Sequence, residues 1–187
     1  MQVTKDVEEK YPLCARYVRN FLKDPDDFKK RYSKVWNAFI RACTVDLPES
    51  KRLPEAQRWA REGFTLGNEP WIAISLSYMR KAGDCGDFNG SISPKFLWIA
   101  PETFEAYENG TGWIVLEGTI LHELVHWVRA KAADGGPDPE MVDAGNDEIG
   151  EVGNLFTKWA YGGLICVAGA NKKVIQYGPP DLRATVQ

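Results

Sequence analysis

The sequence predicts an α+β fold: a helical N-terminal region, then a small mixed sheet packed on a long helix that carries His122-Glu123-Leu124-Val125-His126. Three observations predict it. Apolar residues recur at helical spacing from Val7 to Cys43. After Gly67 two short apolar strings rich in Ile and Trp read as strands. A longer apolar stretch between two glycine-rich breaks reads as a helix.

The elements follow in order. Residues 3–23 predict a helix, with Val7, Tyr11, Cys14, Val18 and Leu22 on one face. Asp24-Pro25-Asp26 interrupts it, and Asp26 is a candidate cap for the next helix. Phe28, Tyr32, Val35, Trp36, Phe39, Ile40 and Cys43 continue the helical repeat up to Leu47-Pro48. A short helix is expected over 54–62, with Pro54 at its first position. Residues 71–78 and 95–99 predict strands, and Gly83 to Gly90 a turn between them. A short helix follows over 101–107, and Asn109-Gly110-Thr111-Gly112 breaks the chain. The long helix spans 113–133 and ends at Gly135-Gly136-Pro137. Residues 138–146 read as a loop and 147–161 as a helix stopped by Gly162-Gly163. Segments 164–167 and 173–177 suggest a terminal hairpin, followed by a loose tail after Pro179-Pro180. With no internal repeat or linker, residues 1–187 read as a single domain, 1–67 its helical part and 68–187 the part holding the motif.

Composition narrows the function. A chain of 187 residues with 44% hydrophobic and 26% charged residues has enough apolar material for a core of its own. The net charge of −3 and the scattered Lys and Arg argue against a nucleic-acid partner. No apolar run is long enough for a membrane-spanning helix, and residues 1–9 have no signal-peptide character. Cys14, Cys43, Cys85 and Cys166 match no zinc-ribbon spacing; they read as buried thiols, with one or two disulfides open in an oxidising compartment.

The chain's two histidines both fall in the one pentapeptide. On a helix, positions i and i+4 share a face, so both imidazoles can reach one zinc ion (Zn2+), one per chain. Glu123 stands beside them as candidate general base for a zinc-activated water. The motif is embedded in apolar helix, Ile120-Leu121 before and Trp127-Val128 after. A catalytic zinc needs a third protein ligand. The extended H-E-x-x-H-x-x-G-x-x-H pattern fails, because Arg129 and Ala132 occupy the last two positions. A carboxylate is the expected third ligand, ahead of Cys or Tyr, and Glu151 or Glu148 in the next helix would share a face at i and i+3. Glu151 is favoured because Gly150 and Gly153 flank it, and glycines inside a helix suggest close packing on the metal helix.

Weaker candidates remain. Tyr161 could donate a hydrogen bond to an oxyanion, although a packed or surface tyrosine is the plainer reading. Asp143 could ligate or hold a histidine, and Thr119 shares the His122 face. Asp84, Asp87 and Asn89 hint at a calcium loop, but their spacing reads better as a turn. Trp36, Trp59, Trp98 and Trp127 fit core faces.

On these residues the chain resembles the zincin metallopeptidases of the glutamate-ligand kind. The resemblance covers about residues 98–163. It rests on Leu121-His122-Glu123-Leu124-Val125-His126-Trp127 and Gly150-Glu151-Val152-Gly153-Asn154-Leu155-Phe156. The layout is similar to metallopeptidase domains of bacterial polymorphic toxins and secretion-system effectors. It departs from that pattern at Thr157, where a glutamate often follows the Phe, and residues 1–67 match no named motif. The resemblance implies zinc-dependent hydrolysis of a protein or peptide substrate, with His122 and His126 as ligands and Glu123 as base. It also implies a translocated effector without a classical signal peptide, and a cognate immunity protein. Cytoplasmic residence is the other localisation the sequence allows. Two other readings stand beside it: a peptidoglycan peptidase or amidase using the same zinc site, and a zinc-containing binding module without catalysis.

Overall fold

A computed structural model describes residues 1–47, 49–76, 84–133, 141–145 and 148–165. The fold is α+β, as the sequence predicts. The helical region holds α1 (Lys5–Lys10), α2 (Pro12–Phe21), α3 (Pro25–Arg31), α4 (Ser33–Thr44) and α5 (Arg52–Phe64). The sheet is built from β1 (Gln2–Val3), β2 (Trp71–Ile74), β3 (Gly86–Asp87) and β4 (Phe96–Ile99). Then come α6 (Pro101–Glu108), α7 (Trp113–Ala132), a hairpin of β5 (Met141–Asp143) and β6 (Ile149–Glu151), and α8 (Val152–Tyr161).

The sheet order is β1-β2-β4-β3. β1, β2 and β4 run parallel, and β3 pairs antiparallel to β4, so β3 is an edge among the described strands. β4 and β3 lie against α7. On the other sides α7 meets α4, α5, α6 and α8. This explains why α7 is apolar almost all round: fifteen of its residues are buried, so little of its surface meets water. One core cluster runs from Met1 and Val7 through Phe39 and Phe64 to Trp127 and Phe156, and so draws on the N-terminal helices and the motif-bearing helix together.

Several expected boundaries shift for local reasons. The first helix is split at Tyr11 because Pro12 takes the first position of α2 and pushes the preceding residue out of helical geometry. The next predicted helix breaks at Tyr32, whose φ is −127°. The apolar periodicity carries across that kink, which is why spacing alone shows one helix. Asp24, not Asp26, caps α3: its Oδ1 accepts from the Asp26 amide at 2.9 Å and the Asp27 amide at 3.2 Å. Pro25 at N1 sets that start two residues earlier than an Asp26 cap would. Asp26 instead receives two hydrogen bonds from Arg61, at 2.9 and 3.0 Å.

The largest difference lies after the motif helix. Residues 141–143 and 149–151 pair as a hairpin where a loop and a helix start are expected. α8 therefore begins at Val152, with Glu151 as its cap, and ends at Gly162, whose φ of 87° is the left-handed geometry of a helix stop. Cys14 and Cys43 are buried thiols outside any disulfide, whereas Cys85 is disulfide-bonded. The proposed terminal hairpin from 166 onward, the tail, Cys166 and the break at 135–137 lie outside the described residues. Among the described residues, no helix is long and apolar enough to cross a membrane.

Candidate metal centre

α7 places His122 and His126 one turn apart, their ring centroids 5.3 Å from each other. Both Nε2 atoms face the carboxylate of Glu151: His126 Nε2 lies 2.8 Å from Oε1 and His122 Nε2 3.5 Å from Oε2. One donor atom from each of the three residues falls within 4.8 Å of the others. Two imidazole nitrogens and a carboxylate oxygen match the donor set of a catalytic zinc site that keeps one position open.

Glu151 reaches this place as the cap of α8. Oε1 accepts from the Gly153 amide at 2.6 Å and Oε2 from the Asn154 amide at 2.7 Å. A negative group is stabilised there by the unsatisfied amides and the helix dipole. The same geometry fixes the carboxylate towards α7. Gly153 completes the fit. A Cβ on it would sit 2.5 Å from Cγ, Cδ2 and Cε1 of His122, so only glycine lets the α8 backbone meet that ring. The close approach expected from the glycines is present, but Gly150 belongs to β6 and packs on Leu155 rather than on α7.

The electrostatics suit a ligand set. Burial lowers the His122 imidazole to about 4 and His126 acts the same way, against Glu151, so the ring is neutral at pH 7 and free to ligate. Burial pushes the Glu151 carboxyl up. The hydrogen bond from His126, both imidazoles and the Gly153 amide outweigh it and hold the group down to about 2. Glu123 is 5% exposed, with Oε1 3.9 Å from His122 Nε2. Burial pushes its carboxyl up to about 8; His126 opposes this, and the Asp87, Glu151 and Asp84 carboxylates add to it.

The edge strand closes over that carboxylate. A Cβ on Gly86 would lie 2.7 Å from Glu123 Oε1 and 2.9 Å from Thr119 Cγ2. Sequence reasoning placed Gly86 in a turn and gave it no role; β3 brings it against the candidate base. Thr119 is buried at this contact. Asp84 and Asp87 flank the same glycine and act on Glu123 through their charge.

The other candidates are placed elsewhere. Glu148 is bound by Lys158 Nζ at 2.7 Å and Trp159 Nε1 at 3.1 Å, with Arg41 at 3.9 Å, and is not in the donor group. The i and i+3 helical face drawn for Glu148 and Glu151 does not form, because neither residue is inside a helix. Asp143 lies on β5, where its Oδ1 accepts from the Gly145 amide at 2.8 Å; it too is outside the donor group. The Tyr161 hydroxyl donates to Glu117 Oε1 at 2.7 Å, so a role at a reacting carbonyl would require it to leave that partner. Glu117 also accepts from the Tyr17 hydroxyl. This buried carboxylate, missed in the sequence, was signalled by a lone acid in the apolar run from Trp113 to Leu121.

Comparison with known proteins agrees with this centre. Neither the curated proteins nor the solved structures offer a match. A family model described as metallopeptidase toxin 3 matches residues 7–162, which takes in the N-terminal helices as well as both histidines and Glu151. The match spans most of the chain, and the chain therefore belongs to the metallopeptidase toxin 3 family.

Proposed function

We propose that this toxin domain is a zinc-dependent endopeptidase in which His122, His126 and Glu151 hold the metal and Glu123 is the general base. The observation that carries the reading is the meeting of two imidazoles, a capping carboxylate and a buried glutamate at one place. Zinc suits that mixed nitrogen and oxygen set, and it supplies Lewis acidity that acidifies water and polarises a carbonyl. Glu151 keeps its orientation through the Gly153 and Asn154 amides, which hold the carboxylate while the histidines are set by α7. Glu123 takes the proton of the attacking water on a carboxylate oxygen and returns it to the leaving amine. Burial under Gly86 keeps other water from competing for that oxygen and raises its basicity. The toxin family supports a protein substrate and a translocated mode of action; a cognate immunity protein completes the proposal.

Glu123→Gln tests the mechanism. It should keep wild-type metal content and lower hydrolysis of a casein substrate by roughly 10²–10⁴-fold, the range of a lost general base. Wild-type hydrolysis in that variant sinks the assignment.

A further inference from the structure

Eight large apolar side chains are exposed among the described residues, and two of them share the small hairpin that ends at Glu151. Met141 pairs directly with Glu151, and Asp143 pairs with Ile149. In an antiparallel pair, residues opposite one another project from the same face, and so do residues two apart. Met141, Asp143, Ile149 and Glu151 therefore share one face, while Val142 and Gly150 share the other. Burial agrees: Val142 is 2% exposed within the core, and Met141 and Ile149 are 60% and 67% exposed. The face that presents the carboxylate to His122 and His126 thus presents two bare apolar side chains beside it.

We infer that Met141 and Ile149 form the subsite for a large apolar side chain of the substrate next to the scissile bond. The inference rests on the peptidase reading above. Directly opposed residues hold their Cβ atoms about 5 Å apart, and a methionine side chain spans that distance. A peptide whose carbonyl sits at the metal has its neighbouring residue about 3.8 Å along the chain, within reach of this face. Both side chains stay more than half exposed; among the described residues their strands pair with each other, and the core lies behind Val142. Methionine is unbranched and adapts to differently shaped apolar groups, so the subsite accepts leucine, isoleucine, methionine and phenylalanine alike.

The test is cleavage of a proteome-derived peptide library by the zinc-loaded chain, with cleavage positions read by mass spectrometry. Wild type, Met141→Ser, Ile149→Ser and the remote surface variant Leu53→Ser are compared. The subsite predicts enrichment of large apolar residues at one position beside the cleaved bond. It also predicts at least a tenfold loss of that enrichment in Met141→Ser, a smaller loss in Ile149→Ser and none in Leu53→Ser; a single methylene in an apolar pocket already gives roughly 10–200-fold discrimination. Metal content measured alongside should match wild type in all three. Cleavage without apolar preference, or a preference unchanged in both hairpin variants, overturns the subsite and leaves the peptidase reading standing. Unchanged cleavage with loss of self-association by light scattering overturns it in favour of a second copy of the chain on this face. A zinc-loaded wild type that cuts no peptide overturns the peptidase reading, and the subsite with it.

Discussion

The ring of His122 lies where the Cβ of Gly153 would be, 2.5 Å from three of its atoms. The two helices that supply the donors are thereby set against each other at backbone distance. Gly153→Ala cannot be absorbed by the end of a flexible side chain, because the imidazole is itself a candidate ligand. The variant is expected to fold and to lose at least about tenfold in zinc affinity, as supporting contacts to a metal ligand typically do. Competition with a chromogenic chelator measures it. Gly150→Ala, whose new methyl has the Leu155 side chain as its nearest neighbour at 3.2 Å, should bind metal as wild type does.

Glu117 joins α7 to α2 and α8 through the hydroxyls of Tyr17 and Tyr161. Burial raises its carboxyl above the usual range, and the two tyrosine hydrogen bonds only partly offset this. A carboxyl raised in the folded state binds its proton more tightly there than in the unfolded chain. Its contribution is complete below the unfolded value of 4.5 and is lost as pH rises through the folded value. Wild type should therefore lose stability relative to Glu117→Gln as pH is raised from 4 to 8. Urea midpoints of both proteins at the two pH values check this. A constant difference between them would mean that the Glu117 carboxyl has the same pKa in the folded and unfolded chain.

Arg129 is 1% exposed, and its Nη1 donates to the carbonyls of Val45 at 2.6 Å and Ala42 at 3.3 Å. It therefore satisfies acceptors at the C-terminal end of α4 that the helix itself leaves open. Arg129→Met keeps much of the side-chain volume and abandons those acceptors. A loss of about 2–3 kcal/mol is expected from hydrogen bonds to a charged donor, read from chemical denaturation. Because Arg129 is one turn from His126, the metal affinity of the folded variant is a useful second readout.

How much of this was legible depended on the distance over which each residue acts. α7 could be read almost to its ends, since glycine-rich breaks flank it and its motif is local. Glu151 was favoured over Glu148 for its flanking glycines, but on the premise of a helix that in fact starts only at Val152. Asp147-Glu148-Ile149-Gly150-Glu151 has the acids of a helix start, and three-residue strands carry too little alternation to compete with that signal. Residue type was informative there while backbone geometry was not. Glu117 and Arg129 escaped because their partners lie 44 to 100 residues away, so no spacing announces them. Gly86 escaped because an edge strand of two residues looks like the turn around it.

The metal content of wild type, Glu151→Ala and Glu148→Ala, purified in parallel and read by elemental mass spectrometry, bears most directly on the centre. About one zinc per chain is predicted in wild type and in Glu148→Ala, with the metal lost from Glu151→Ala. Wild type that holds no metal after zinc reconstitution, or Glu151→Ala that retains it while Glu148→Ala does not, would contradict the account.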